Sequence, residues 1–257
     1  MGNAVDFSVQ NGIAKVMLDH PPLNILSEKV KEELTNTFRI ITDYSGVRVL
    51  LFVAKGDHFC CGANLKEFPD RIANKSAGEV WTRGHEMLAE VMNAPQPTIA
   101  YIQGNALGGG AELASAFDIR IFSSTAQIGY PEVLRGVFPG NGGLERLISL
   151  VGPAKAMNLV LTGKPISAER ALQLGIASEI VESSDGVKKA EELAQYLANL
   201  PGVALKAIKK AIKLYAADSS TFMDKGKELF YMLHETEDVK EAANAFLEKR
   251  KASFLHK

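Results

Sequence analysis

Short, almost wholly apolar segments separated by helical stretches constrain the fold of this chain most strongly. The segments run from 47 to 53, from 98 to 103 and from 119 to 122. A continuous apolar run of this length is typical of a strand that is covered on both faces. Strands that alternate with helices predict a largely parallel sheet with right-handed crossovers. The first part of the chain is therefore predicted to be an α/β core.

The two ends of the chain add different elements to this core. Apolar alternation on both sides of Asn11-Gly12 predicts a hairpin, because Asn-Gly accepts the positive φ of a tight turn. An amphipathic helix is predicted from Ser27 toward Gly46. After about residue 145 helical periods dominate, with one short strand predicted from 176 to 181. The coarse prediction is an α/β core followed by a helical C-terminal region.

Composition and charge exclude several classes of protein. The chain has 257 residues, 46% hydrophobic and 23% charged, which is ordinary for a globular protein. A formal net charge of -1 gives no overall field for nucleic acid or an anionic membrane, so neither partner is expected. The chain start lacks the features of a secretory signal, and no apolar run reaches the ~20 residues of a membrane span. The only cysteines, Cys60 and Cys61, predict neither a disulfide scaffold nor a zinc site, and a cytoplasmic location is expected.

Two segments rich in small residues are candidates for contact with a ligand through the main chain. Residues 59–65 would let backbone amides approach a ligand closely, although a tight turn also explains this segment. Residues 104–114 contain three successive glycines, each of which lowers helix propensity by ~1 kcal/mol relative to alanine. A helix that begins there offers unpaired N–H groups to an anion, with Glu112 in its first turn. The alternative is that Glu112 is a surface partner of the helix dipole.

A third segment, residues 128–143, contains five glycines and two prolines among apolar residues. This composition predicts an irregular but sheltered loop. Glu132 is the only carboxylate within it. An apolar loop disfavours the charged form of a carboxyl group and raises its pKa toward the range useful for proton transfer. The alternatives are an ion pair with Arg135 or a cap on the next helix.

Three motifs occur in a fixed order along these segments. They are Cys-Gly-Ala-Asn-Leu at 61–65, Gly-Gly-Gly-Ala-Glu-Leu at 108–113, and Tyr-Pro-Glu at 130–132 followed by Gly-Asn-Gly-Gly at 140–143. In order and spacing they resemble the motifs of the crotonase, or enoyl-CoA hydratase/isomerase, superfamily, and further matches extend the resemblance over essentially the whole chain. The resemblance implies a crotonase-like ββα spiral core with an acyl-CoA site over 1–200. It also implies a helical region over 201–257 that mediates assembly into a homotrimer or homohexamer.

The resemblance also implies the chemistry. Members of the superfamily bind acyl-CoA thioesters and stabilise the enolate oxygen with two backbone amides, here by similarity those of Ala63 and Gly109. Hydratases use two glutamates, at the positions of Glu112 and Glu132, to hold a water against Cβ of a trans-2-enoyl-CoA. Glu112 would help to activate that water, and Glu132 would exchange the proton at Cα. Acyl-CoA is the expected substrate, an enoyl-CoA hydratase the expected enzyme, and no metal or redox cofactor is expected.

The resemblance assigns substrate-binding roles to a larger set. By similarity the substrate-binding residues are Leu23, Ala63, Asn64, Leu65, Gly108, Gly109, Tyr130, Pro131 and Gly140. Leu23, Asn64 and Leu65 should lie along the pantetheine and adenine groove, while Pro131 and Gly140 should border the acyl pocket. The chain departs from the family pattern at Asn64, where many relatives have aspartate, and at Tyr130, where hydratases often have glutamine. Tyr130 is expected to narrow the acyl pocket or to place a hydroxyl near the reacting carbons.

Other functions stay open at this stage. The same scaffold supports Δ3-Δ2 enoyl-CoA isomerisation and decarboxylation, and a non-catalytic acyl-CoA-binding protein would not need both acids. Lysines in the C-terminal region either meet CoA phosphates or form a solvated helix face; they are Lys206, Lys209, Lys210 and Lys213. The spacing of histidines and glycines excludes a zinc protease helix and a P-loop.

Overall fold

A computed structural model describes residues 3–257 of the chain. Within those residues it contains nine strands: β1 Val5–Gln10, β2 Ile13–Leu18, β3 Val49–Ala54, β4 Thr98–Ile102, β5 Asn105–Leu107, β6 Ile119–Ser123, β7 Gln127–Gly129, β8 Ile166–Ser167 and β9 Glu179–Val181. Six of them form one sheet in the order β1-β2-β3-β4-β6-β9, in which only the β1–β2 pair is antiparallel. The other three form a small sheet in the order β5-β7-β8.

Helices connect the strands and dominate the second half. The α-helices among residues 3–257 are α1 Glu28–Asp43, α2 Phe68–Ala73, α3 Ala77–Asn93, α4 Gly109–Ser115, α5 Gly143–Val151, α6 Pro153–Thr162, α7 Ala168–Gln173, α8 Gly186–Ala198, α9 Gly202–Ala217, α10 Phe222–His234 and α11 Glu237–Leu247. Three short 3-10 helices span Leu65–Glu67, Pro131–Arg135 and Ser219–Thr221. The predicted α/β core and helical C-terminal region are both present.

The large sheet is covered on both faces, as the apolar runs predicted. All six residues of β3 are buried. Leu50 and Phe52 belong to the main core with α1, where the Phe38 and Phe52 rings lie 6.1 Å apart. Val49 and Leu51 point to the other face and pack against alanines of α8. Because neighbouring side chains of a strand point to opposite faces, a strand between two helical layers has to be apolar throughout.

One predicted strand is shorter than expected. The apolar run from 176 to 181 forms a strand only over β9 Glu179–Val181. Ile176 is fully buried, but its amide donates to the carbonyl of Ala171 at the end of α7. This amide is therefore used to end a helix, and the hydrophobic pattern alone could not distinguish the two uses.

The C-terminal helices pack loosely on the rest of the chain. α10 contains no buried residue. On α9, Lys209 forms an ion pair of 2.5 Å with Asp118, and Lys213 donates to the carbonyl of Met92. These two lysines therefore attach α9 to the core, a role that differs from both alternatives, contact with CoA phosphates and a solvated helix face. Within the part of the chain that the structure describes, no helix combines the length and apolar character needed to cross a membrane.

Candidate active site

The first two motifs lie side by side because their main chains are in direct contact. The Cys60 amide donates to the Asn105 carbonyl at 3.1 Å, and the Leu107 amide donates to the Cys60 carbonyl at 2.9 Å. A Cβ added to Gly110 would lie only 2.0 Å from the Cys60 carbonyl oxygen. The third glycine of the run is therefore required by this close approach of α4 to the neighbouring segment.

Two free backbone amides result from this contact. Gly109 is the first residue of α4, so its N–H has no acceptor in the preceding turn. Ala63 follows Gly62, whose φ is +91° and whose added Cβ would lie 3.4 Å from the Gly109 nitrogen. Neither the Ala63 nor the Gly109 amide donates a hydrogen bond to any of residues 3–257. Both residues line the same two cavities, so their amides are available to a ligand there.

Glu112 is buried, and both oxygens of its carboxylate accept hydrogen bonds. Oε1 accepts hydrogen bonds from the backbone amides of Asn141 at 2.7 Å and Gly143 at 2.9 Å. Oε2 accepts one from the side-chain Nδ2 of Asn141 at 2.6 Å. Glu112 is only 1% exposed, so the alternative that it is a surface partner of the helix dipole is wrong.

Glu132 lies in the 3-10 helix Pro131–Arg135 and has a different environment. Its Oε2 is buried and has no hydrogen-bond partner among the described residues, which excludes the alternative ion pair with Arg135. Burial, followed by a smaller repulsion from Glu112, raises the pKa of Glu132 from its ordinary 4.5 to about 7. This agrees with the raised pKa that the apolar loop predicted.

Two adjoining cavities meet at the free amides. The first, the amide groove, has a volume of 490 Å³ and is lined at one side by Leu23, Asn64, Leu65, Gly108 and Pro131. The second, the aromatic cavity, has a volume of 610 Å³ and contains Glu112, Gly140 and Asn141 in its wall. Its apolar side chains are Phe68, Ile72, Val80, Trp81, Val137 and Phe138. Ala63, Gly109 and Glu132 line both cavities, so the predicted amides and acids converge on one place.

Tyr130 is the one predicted substrate-binding residue that lies elsewhere. It is 1% exposed and lines neither cavity. Its hydroxyl lies 3.0 Å from the Ser115 hydroxyl on α4, and burial raises its pKa to about 12. The expectation that Tyr130 narrows the acyl pocket is therefore wrong, because the ring is turned inward to pack beneath α4.

Sequence reasoning missed the residues that hold Glu112 and those that form the aromatic cavity. Asn141 and Gly143 belong to one of the three motifs, but nothing in the sequence connected them to a glutamate 29 and 31 positions earlier. Trp81 lies on α3 and its ring packs edge-on against that of Phe138, with centroids 6.1 Å apart. Among residues 3–257, no group of three or more His, Cys, Asp or Glu side chains is placed to hold a metal ion.

Comparisons with known proteins identify the family of this chain. The model of the family "Enoyl-CoA hydratase/isomerase" matches residues 8–257. A "Probable enoyl-CoA hydratase" of Bacillus subtilis is 36% identical, and the "Short-chain-enoyl-CoA hydratase" of Clostridium acetobutylicum is 34% identical. The alignments cover 98% of both chains in the first case, and 97% of this chain and 96% of the relative in the second.

Solved structures give the same result. A crystal structure of an enoyl-CoA hydratase from Bacillus anthracis has a TM-score of 0.93 at 31% identity, covering 99% of this chain and all of the other. A Geobacillus kaustophilus structure of the same description has a TM-score of 0.92 at 33% identity, covering 99% and 98%. These findings confirm the resemblance, and the chain is an enzyme of the enoyl-CoA hydratase/isomerase family with the crotonase fold.

Proposed function

We propose that the enzyme adds water across the 2,3 double bond of a trans-2-enoyl-CoA thioester. The observation that carries this proposal is the convergence of two free amides and two carboxyl groups on one cavity wall. The names of the relatives, which include hydratases of short-chain enoyl-CoA, support the same reaction.

The amides of Ala63 and Gly109 would bind the thioester oxygen and stabilise the negative charge that develops on it. Main-chain donors of this kind typically contribute ~3 to 4 kcal/mol each to transition-state stabilisation. Both donors are held by the packing of α4 on the Cys60 segment, so they need no rearrangement during the reaction. An enolate is the intermediate that such a pair favours.

The two glutamates would divide the proton transfers. Water attacks Cβ as Glu112 accepts one of its protons, which leaves an enolate with its oxygen on the two amides. Glu132 then gives its proton to Cα and completes the 3-hydroxyacyl thioester. The proton that Glu112 took from water passes to Glu132, directly or through solvent, before the next turnover. A pKa of about 7 leaves Glu132 substantially protonated near neutral pH, as a proton donor requires. Delivery of both groups from the same cavity wall corresponds to syn addition.

The two cavities would hold the two parts of the substrate. The amide groove, with Leu23, Asn64 and Leu65 at its edge, would take the pantetheine and the adenine end of CoA. The aromatic cavity would take the acyl chain, since its walls are largely apolar. The thioester carbonyl would then lie at the amides where the cavities meet.

A rival reaction on the same scaffold is Δ3-Δ2 isomerisation. An isomerase needs one acid-base group to move a proton, whereas hydration uses two. Glu112 and Glu132 both line the aromatic cavity, which favours hydration. A non-catalytic acyl-CoA-binding protein has no need for a buried, unpartnered carboxyl oxygen such as Oε2 of Glu132.

Turnover of crotonyl-CoA, followed as loss of ultraviolet absorbance, tests the reaction. Wild type should hydrate it, and both Glu112→Gln and Glu132→Gln should lose activity while product still binds. Glu145→Gln on α5 is a matched control, because Glu145 is exposed. A wild type that isomerises 3-enoyl-CoA but hydrates neither crotonyl-CoA nor longer 2-enoyl thioesters would refute the proposal.

The C-terminal helices support an oligomer as part of the same proposal. α10 contains no buried residue, yet Met223 is 76% exposed and Phe230 and Tyr231 are both more than half exposed. An apolar face of this kind is typical of a subunit interface. A homotrimer, or a pair of trimers, would cover it. Light scattering after size exclusion should give a mass of three or six chains, and Phe230→Asp should lower it.

A further inference from the structure

Asn141 holds both oxygens of the Glu112 carboxylate. Its backbone amide donates to Oε1 at 2.7 Å, and its side-chain Nδ2 donates to Oε2 at 2.6 Å. Gly143 contributes only a second main-chain donor to Oε1. Within residues 3–257 the Asn141 side chain is thus the hydrogen-bond donor to Oε2, and together with the two main-chain donors to Oε1 it fixes the rotation of the carboxylate about its last bond. Hydrogen bonds to an ionised acceptor are among the strongest in proteins.

Gly84 makes room for this side chain. A Cβ added to Gly84 would lie 1.6 Å from Oδ1 of Asn141 and 2.5 Å from its Cγ. Gly84 lies within α3, where glycine lowers helix propensity, and its φ is not in the left-handed region. The backbone conformation of α3 therefore does not require glycine at this position. The space that a Cβ of residue 84 would occupy is filled by the side chain of Asn141.

We infer that Asn141, seated against Gly84, is a positioning residue that orients Glu112 for its reaction with water. This inference rests on the proposed hydration. A carboxylate oxygen has two lone pairs, so Oε2 of Glu112 can accept a second hydrogen bond in addition to the one from Nδ2 of Asn141. With its rotation fixed, Glu112 would present this remaining site in one direction, toward the water that it activates.

Substitution of Asn141 tests the role directly. Asn141→Ala removes the side-chain donor and keeps the backbone amide, so kcat should fall about 10- to 100-fold with KM nearly unchanged. Asn141→Asp keeps the shape but replaces the donor by an acceptor, so it should lose at least as much. Its activity relative to wild type should recover as pH falls and the new carboxyl group becomes protonated.

A double-mutant cycle tests the link to Gly84. Gly84→Ala should displace the Asn141 side chain and lower kcat about as much as Asn141→Ala does. In the Asn141→Ala background the same change should cost little further, because Oδ1 and Cγ are gone and only Cβ of residue 141, at 3.1 Å, remains close to the added atom. Gly78→Ala is the matched control: Gly78 lies in the same helix, and a Cβ there meets nothing within 4 Å.

Crystal structures of the Asn141→Ala and Gly84→Ala variants separate this inference from the proposed function. The Glu112 carboxylate should be rotated or disordered in each, whether or not the wild type hydrates crotonyl-CoA. An Asn141→Ala enzyme with unchanged kcat would overturn the inference, as would an unmoved carboxylate or kcat losses that multiply in the double variant. A wild type that does not hydrate any enoyl-CoA, with Glu112 displaced in both variants, would refute the reaction and leave the positioning role standing.

Discussion

Glu112 and Glu132 line the same cavity, but their carboxyl groups differ in the hydrogen bonds that they accept. Three N–H groups donate to the Glu112 carboxylate, whereas Oε2 of Glu132 is buried and has no hydrogen-bond partner among residues 3–257. The first carboxyl group is surrounded by donors and is fixed as an acceptor. The second is free to carry a proton, so the two groups are suited to different halves of one reaction.

The pH dependence of activity should follow Glu132. Its pKa of about 7 requires kcat/KM for hydration to fall as pH rises through neutrality, because the proton that Cα receives is then lost. The kcat/KM for dehydration of the 3-hydroxyacyl product should fall over the same pH range, because both directions of the reaction need a single proton on the Glu112–Glu132 pair. Rate profiles in both directions check this. Hydration that stays constant well above neutral pH would contradict the assignment of Glu132 as the acid.

The stability of the enzyme should also depend on this carboxyl group. Its pKa rises from 4.5 to about 7 on folding, so the folded state binds the proton more tightly and wild type loses stability as pH rises between these values. The total effect is up to roughly 3 kcal/mol. Glu132→Gln removes this dependence. In thermal denaturation the Tm of the variant should therefore rise relative to that of wild type as pH increases from 4.5 to about 7. A constant difference in Tm across that range would argue against the buried charge.

Gly109→Pro should remove one of the two amide donors. Proline is tolerated at the first position of a helix, which Gly109 occupies in α4. The kcat is expected to fall about 100- to 1000-fold with the circular dichroism spectrum unchanged. Gly109→Ala is the control, because it keeps the N–H and adds only a Cβ, which would lie 3.2 Å from Cδ1 of the buried Leu26. Equal losses in both variants would point to steric obstruction of the cavity instead.

The aromatic cavity should favour acyl chains longer than crotonyl. Each buried methylene contributes ~0.8 kcal/mol, so KM should be more than about tenfold lower for trans-2-octenoyl-CoA than for crotonyl-CoA. Trp81 and Phe138 form part of the wall. Trp81→Ala should reduce this difference in KM, and Trp81→Phe should largely preserve it. Equal KM values for the two substrates in wild type would show that the chain lies elsewhere.

Tyr130→Phe should affect folding and leave catalysis unchanged. Within residues 3–257 the hydroxyl of Tyr130 hydrogen-bonds only to the Ser115 hydroxyl of α4, and Tyr130 lines neither cavity. Its loss should lower the free energy of unfolding by about 1 kcal/mol, measured by urea denaturation. If Tyr130→Phe changed the preference of the enzyme for enoyl-CoA substrates of different acyl length, the hydroxyl would have to contact the substrate.

The sequence predicted the parts of the molecule that depend on local pattern. Apolar runs located β3, β4 and β6, because a strand between two helical layers is apolar on both faces. The small residues of the motifs marked where main chains approach closely. The orientation of Tyr130 and the partners of Glu112 could not be predicted, because they depend on how α4 packs against the start of α5. A tyrosine beside a pocket motif can point into the pocket or beneath it.

The contact of Gly110 with the carbonyl of Cys60 lies away from both cavities, yet it determines how far apart the two amide donors are. Because this contact joins main chain to main chain, repacking of side chains elsewhere should change the distance between the two amides very little. The acids, by contrast, are side chains: Glu112 lies on α4, one turn after Gly109, and Glu132 lies on a short 3-10 helix. Substitutions can therefore exchange or remove the acids one at a time, and so change the reaction that we propose, without rebuilding the main-chain contact that positions the two amides.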